Sequence, residues 1–283
     1  MTRQQWEQIF TLQAEANNKL VGSTDWLYDP IKYDFIQCCL AEANEATDSW
    51  GWAPWWKPAP ALDMSNVKLE LIDLLHFHTS AVMQHASIMG TSVENAIETG
   101  VAGIMNYVKP AVAPKQLENG TKAMQRYQQA LLTNGPVVAL HFLLDLFGMA
   151  GMSMEEASAR YLAKNALNVF RANIGYKKNK DVKYWRNPVS INLKGSVDSM
   201  DAAVALLTEH GDHAVHSGER GEGFINWHGE ILLTSKGQRE DNDYVMDMVT
   251  KLIADGATGL TRDEMLFAIG EEYTRITGKE CYV

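Results

Sequence analysis

At 283 residues the chain can bury a full core, and its 46% hydrophobic and 21% charged residues describe a soluble globular protein. A formal net charge of -10 and a pI near 5.3 disfavour nonspecific binding to nucleic acid or to an anionic membrane, but leave room for a small basic pocket that holds a nucleotide. No apolar run approaches the ~20 residues that span a bilayer, MTRQQWEQIF lacks a signal-peptide core, and the three cysteines Cys38, Cys39 and Cys281 suit a reducing cytoplasm rather than a disulfide framework.

Helical spacing of Trp6, Ile9, Phe10 and Leu20 predicts a first helix over 2–20. A second runs over 32–50 and stops at WGWAPWWKPAPA, where proline cannot continue the backbone ladder. Ser65 is the expected cap of a third helix, over 66–89. Further helices are predicted over 92–107, 116–132, 135–149 and 153–171, with breaks at Gly135-Pro136 and Gly151. From about 178 to 238 lysine-, glycine- and histidine-rich stretches predict a loop-rich insertion with one helix near Ser199–Glu209 and a small hairpin. Helical patterning returns over 242–254 and 262–276. The expected architecture is an all-α helical bundle, a single catalytic domain over 1–283 that carries the insertion.

Two acidic pairs stand out within this frame, Glu42 with Glu45 in the second helix and Glu70 with Asp73 in the third. Each is spaced i, i+3, so both carboxylates share a helix face one turn apart. One such pair is usually a solvated surface feature. Leu69, Leu71, Ile72, Leu74, Leu75 and Phe77, however, make the third helix apolar nearly all round, hence buried, so its acids need a partner. Four anions brought together call for a divalent cation, and hard oxygen ligands suit Mg²⁺, with Mn²⁺ as a substitute, together with substrate phosphates.

Other constellations are weaker alone. Lys164, Asn168 and Arg171 share one helix face, Gly175 ends that helix, and Tyr176 and Lys177 follow, a set that can hold phosphate oxygens or equally form a solvated basic helix end. Lys57 lies among Trp50, Trp52, Trp55 and Trp56, which either wall a planar base or plug the helix ends. His76 either meets a substrate or is a hydrogen-bonded core histidine. His210, His213 and His216 form an HxxHxxH run with no cysteine near it, which fits a surface loop better than zinc.

Taken in order, LQAEAN at 12–17, EANEATDS at 42–49, ELIDLLHF at 70–77, KNALNVFRANIGYK at 164–177 and REDN at 239–242 make the chain resemble the all-α dimeric dUTPases. These belong to the larger all-α NTP pyrophosphatase group that includes MazG-like enzymes and phage dCTP/dUTP pyrophosphatases. The chain departs from the family pattern at Ala16 and Ala46, where leucine is usual, by an extra residue at Pro54–Trp56, and by about sixty residues between YKK and REDN, where a short connection is usual. The resemblance implies Mg²⁺-dependent cleavage of dUTP to dUMP and pyrophosphate, with dCTP or a modified pyrimidine nucleotide as the alternative substrate and a noncatalytic nucleotide-binding regulator as the rival class. It also implies metal held by Glu42, Glu45, Glu70 and Asp73, with Glu42 or Glu45 activating water. Gln13, Asn17, Trp55 and His76 would line the base and sugar pocket, with Lys57 also near substrate. Lys164, Asn168, Arg171, Tyr176, Lys177 and Asn242 would meet phosphates or the closing loop. A homodimer is expected, with no stable nucleic-acid complex and no membrane partner.

Overall fold

The computed structural model describes residues 1–87, 91–107, 120–174, 224–225, 231–232, 241–257 and 259–278. Among these the helices are α1 (Arg3–Val21), α2 (Asp25–Tyr28), α3 (Phe35–Ser49), α4 (Met64–Ala86), α5 (Val93–Tyr107), α6 (Gly120–Asn134), α7 (Pro136–Met149), α8 (Met154–Asn173), α9 (Asp241–Ala254) and α10 (Arg262–Thr277). The class is all-α. The described strands are β1 (Phe224–Ile225) and β2 (Ile231–Leu232), an antiparallel pair in register Phe224 to Leu232 and Ile225 to Ile231, inside the segment expected to hold a hairpin. The helix expected near Ser199–Glu209 and the histidine run at 210–216 lie outside the described residues. Two compact units are present, Met1–Asn165 and Ala166–Val283, with the division falling inside α8.

Local chemistry sets the helix starts. Thr2 and Gln5 close a capping box on α1, and Thr261 and Glu264 close another on α10, each pairing two otherwise unsatisfied backbone donors. For α4 the cap is Asp63, whose carboxylate accepts from Asn66 N–H at 3.0 Å, so the helix begins earlier than the expected Ser65 cap allows. A charged oxygen one turn ahead of the apolar run meets the helix dipole better than a hydroxyl already inside the helix. The α6–α7 break falls where sequence puts it: Gly135 takes a φ of 84°, and Pro136 begins α7, where a missing N–H costs nothing.

In the first unit α4 is the central helix, packed against α3, α5 and α7, while α6 pairs with α7 and α1 lies on α5 and α4. Leu71, Ile72, Leu74 and Leu75 of α4 are fully buried, each burial contributing about 1.5–3 kcal/mol relative to exposure. His78 is pinned inside this core. Its Nε2–H must donate to the Pro136 carbonyl at 2.8 Å, which leaves Nδ1 to accept from the Tyr127 hydroxyl at 2.8 Å and joins α4, α6 and α7 through one neutral ring. Burial accordingly lowers its pKa to about 4. Close helix contact elsewhere depends on a missing side chain: a Cβ on Gly100 would lie 2.6 Å from the Phe10 ring.

In the second unit Leu167, Phe170, Val245, Val249 and Ile269 are fully buried. Phe170 meets Tyr273 edge-on, ring centroids 5.3 Å apart. No single described helix is long and apolar enough to cross a membrane.

Candidate active site

Helices α3 and α4 lie side by side, and their i, i+3 acidic pairs converge. One oxygen from each of Glu42, Glu45 and Glu70 falls within 4.8 Å of the others, a spacing at which one cation can serve all three. Glu70 is buried, Glu42 half-buried and Glu45 exposed, so the cluster opens toward water on the Glu45 side. Asn66 holds Glu70 in place, donating from its amide to Glu70 Oε1 at 3.1 Å and to Ser49 Oγ at 2.7 Å, which ties the start of α4 to the end of α3.

The electrostatics show how much positive charge this arrangement lacks. Burial first, then the charges of Asp73, Glu45 and Glu70 and a hydrogen bond with Glu70, push the Glu42 carboxyl up to about 8. Glu70 rises to about 7 for the same leading reasons, burial and then Asp73 and Glu45, although Lys164 and the Asn66 hydrogen bond pull the other way. Without a cation the chain thus relieves its own repulsion by retaining protons.

Asp73 contributes its charge to the cluster, but its Oδ2 also accepts from Lys164 Nζ at 2.8 Å, and that lysine side chain is only 6% exposed. Beside it, Lys68 and Arg160 both donate to Glu156 Oε1, at 3.1 and 2.8 Å, fastening α4 to α8.

A second group is wholly buried on the facing sides of α1, α4 and α8. Gln13 Nε2 donates to Asn17 Oδ1 at 2.9 Å, Asn17 Nδ2 to Ser80 Oγ at 3.0 Å, and Ser80 Oγ to the His76 carbonyl at 3.1 Å. Gln13 Oε1 lies 2.7 Å from His76 Nδ1 and accepts from Tyr161 OH at 2.9 Å. Tyr161 also stacks on the imidazole with centroids 4.1 Å apart. Burial lowers the pKa of His76 to about 3, so the ring is neutral, and its Nε2 is buried without a hydrogen-bond partner among the described residues. A solitary buried acceptor of this kind costs about 1–3 kcal/mol until a donor reaches it.

The tryptophan loop divides. Trp50 is partly buried against the core and occupies the space a Cβ on Gly120 would need. Trp55 is 92% exposed, Trp56 packs edge-on against it at 5.6 Å, and Lys57 is exposed. The loop therefore presents indole surface to water instead of plugging helix ends.

In the second unit Arg171 makes a two-pronged ion pair with Asp241, its Nε 2.7 Å from Oδ2, and the aspartate is fully buried. Asn242 follows directly and donates its backbone N–H to Asp241 Oδ1 at 2.8 Å. Asn168 is half-buried on α8. Tyr176 and Lys177 lie outside the described residues.

Sequence reasoning passed over Asn66, Ser80 and Tyr161. The signal was available in each case as helical spacing to a residue already singled out: Asn66 is four before Glu70, Ser80 four after His76, and Tyr161 three before Lys164. A family model described as dUTPase matches residues 5–176, more than half of the chain. No curated protein matches it.

Proposed function

The chain belongs to the dUTPase family and is a dUTP diphosphatase-like hydrolase, and from that premise we propose that it cleaves dUTP to dUMP and pyrophosphate with Mg²⁺ held by Glu42, Glu45, Glu70 and Asp73. The observation that carries this reading is the convergence of Glu42, Glu45 and Glu70 within 4.8 Å, with Glu42 and Glu70 driven to retain protons. That donor set fits a hard divalent cation: it is all carboxylate oxygen, it is short of positive charge, and it has an exposed side. Bound there, Mg²⁺ or Mn²⁺ would neutralise phosphate charge and make a water molecule more acidic.

The residues of the chain do the rest. Glu42 or Glu45 orients the water that attacks the α-phosphorus and takes its proton; Glu45, exposed at the rim, is the more accessible to solvent. Lys164, beside Asp73, keeps a positive charge next to the acids and can turn to a phosphate oxygen. Gln13, Asn17 and His76 receive the pyrimidine, and exposed Trp55 can close over its face, with Lys57 on the same loop. Phosphate contacts fall to Asn168, Arg171, Tyr176, Lys177 and Asn242, by resemblance.

We further take the active form to be a homodimer, since helical subunits commonly pair about a two-fold axis; twice the chain mass in light scattering supports this, and a fully active monomer overturns it. A reducing intracellular compartment suits the free thiols Cys38 and Cys39. The deciding experiment is pyrophosphate release from dUTP, dCTP, dTTP and the purine deoxynucleotides with Mg²⁺, and with EDTA after dialysis. Preference for dUTP and loss of turnover in EDTA are expected; full turnover in EDTA overturns the metal assignment, and preference for dCTP overturns the base assignment.

A further inference from the structure

The buried group around His76 forms a closed circuit, and one of its members decides the direction in which every hydrogen bond runs. A backbone carbonyl can only accept, so the Ser80 hydroxyl proton goes to the His76 carbonyl. Its single proton spent, Ser80 Oγ can only accept from Asn17, which turns the Asn17 amide so that Nδ2 faces Ser80 and Oδ1 faces Gln13. Gln13 must then offer Nε2 to Asn17 and Oε1 to the imidazole, so His76 Nδ1 carries the ring proton. The circuit returns to the residue on which it started. Tyr161 is compatible with either direction, because its proton can go to Gln13 Oε1 or to the Ile9 carbonyl at 3.1 Å. Ser80 has no such choice.

The consequence falls on the far side of the ring. With Nδ1 protonated and the ring neutral, Nε2 is a lone-pair acceptor, and it is the buried ring atom without a partner among the described residues. The same direction leaves the second N–H of the Gln13 amide and of the Asn17 amide outside the circuit, so the buried group offers an acceptor together with donors. A 2,4-dioxopyrimidine edge has a central N3–H donor between two carbonyl acceptors; cytosine has a bare N3 acceptor in that place.

Resting on the reading of the site as a pyrimidine nucleotide pocket, we propose that Ser80 is a positioning residue for substrate choice: it fixes the circuit His76–Gln13–Asn17–Ser80 in the direction that makes His76 Nε2 accept from N3–H, favouring uracil over cytosine. Ser80 touches no substrate. Without its hydroxyl, both amides can turn over together, Gln13 Nε2 can donate to His76 Nδ1, and the ring proton moves to Nε2, the polarity that suits cytosine.

The test uses the full chain labelled with ¹⁵N-histidine, with His76 assigned through its loss in His76→Asn and its tautomer read from the two ring nitrogen shifts. Dual measurement of kcat/KM for dUTP and dCTP accompanies it. Wild type is expected to show the Nδ1–H tautomer. Ser80→Ala, a favourable substitution inside a helix, is expected to shift His76 toward Nε2–H and to lower the dUTP:dCTP ratio by about tenfold or more, the scale of one mismatched polar contact in a specificity pocket. Tyr161→Phe is expected to keep the Nδ1–H tautomer. An Nε2–H tautomer in wild type, or a Ser80→Ala protein with either the tautomer or the ratio unchanged, overturns the proposal. Should wild type cleave no deoxynucleoside triphosphate, the hydrolase reading fails separately, and the tautomers of wild type and Ser80→Ala still decide whether Ser80 directs the circuit.

Discussion

Replacing Glu42 by glutamine should stabilise the metal-free protein at alkaline pH while removing one of the proposed metal ligands. Glu42 has its pKa raised from 4.5 to about 8, by burial first and then by the negative charges of Asp73, Glu45 and Glu70. A folded-state value above the unfolded one means that the folded protein binds the proton more tightly. The resulting stability is fully present below about pH 4.5 and is lost as pH rises through about 8. At roughly 1.4 kcal/mol per pK unit the full shift would amount to several kcal/mol, but Glu42 is only half-buried and water screens it, so roughly 1–2 kcal/mol is the working figure. Glutamine has nearly the same shape and no charge to repel. In EDTA at pH 9, Glu42→Gln should therefore melt roughly 2–8 °C above wild type, taking about 2–4 °C per kcal/mol. Near pH 5, where wild-type Glu42 is protonated, the two should melt together. Mg²⁺ at pH 8 should reverse the order, since wild type gains more from binding the ion than a variant that lacks a ligand. Differential scanning fluorimetry across pH, with and without metal, makes the comparison. A variant that melts below wild type at both pH values in EDTA would refute the electrostatic reasoning.

Glu45→Gln should lower kcat by a hundredfold or more under saturating Mg²⁺, on the scale of about 10²–10⁴ for a positioned acid–base group, while the melting temperature stays within a degree or two because Glu45 is exposed; near-normal turnover would remove Glu45 from the site. Arg171→Ala should unfold much more readily, by about 3–5 kcal/mol in urea titration, because it strands the fully buried Asp241 carboxylate. Adding Asp241→Asn should recover part of that loss, and an Arg171→Ala protein as stable as wild type would show that the pair contributes little. Burial holds the His76 pKa at about 3, so histidine-selective titration followed by NMR should find this ring neutral from pH 5 to 9, and a midpoint near 6.5 would show that it is open to water in the free protein.

Much of the fold was legible because helical periodicity is local. Apolar residues at i, i+3 and i+4 marked nearly every described helix, and Gly135-Pro136 marked a break by backbone geometry alone. The N-terminus of α4 was not, because Asp63 and Ser65 are both good caps and the choice depends on which one precedes the first helical turn. The ion pair of Arg171 with Asp241 was not legible either, because Asp241 is seventy residues distant in the chain and nothing local announces that a carboxylate will be buried against that guanidinium.

For the site, the sequence by itself determined that Glu42 and Glu45 share one helix face and that Glu70 and Asp73 share another, since 3.6 residues per turn leaves no alternative. It also determined that the second pair lies on a helix too apolar to be exposed. Only the tertiary structure decided that the two faces meet, that Glu42, Glu45 and Glu70 converge while Asp73 also engages Lys164, and that His76, Gln13, Asn17, Ser80 and Tyr161 close into one circuit. The physical reason is range. Helix geometry is set by bonds spanning four residues, whereas the proton on His76 and the charge on Glu42 depend on groups from other helices, brought within hydrogen-bond distance only when the core packs.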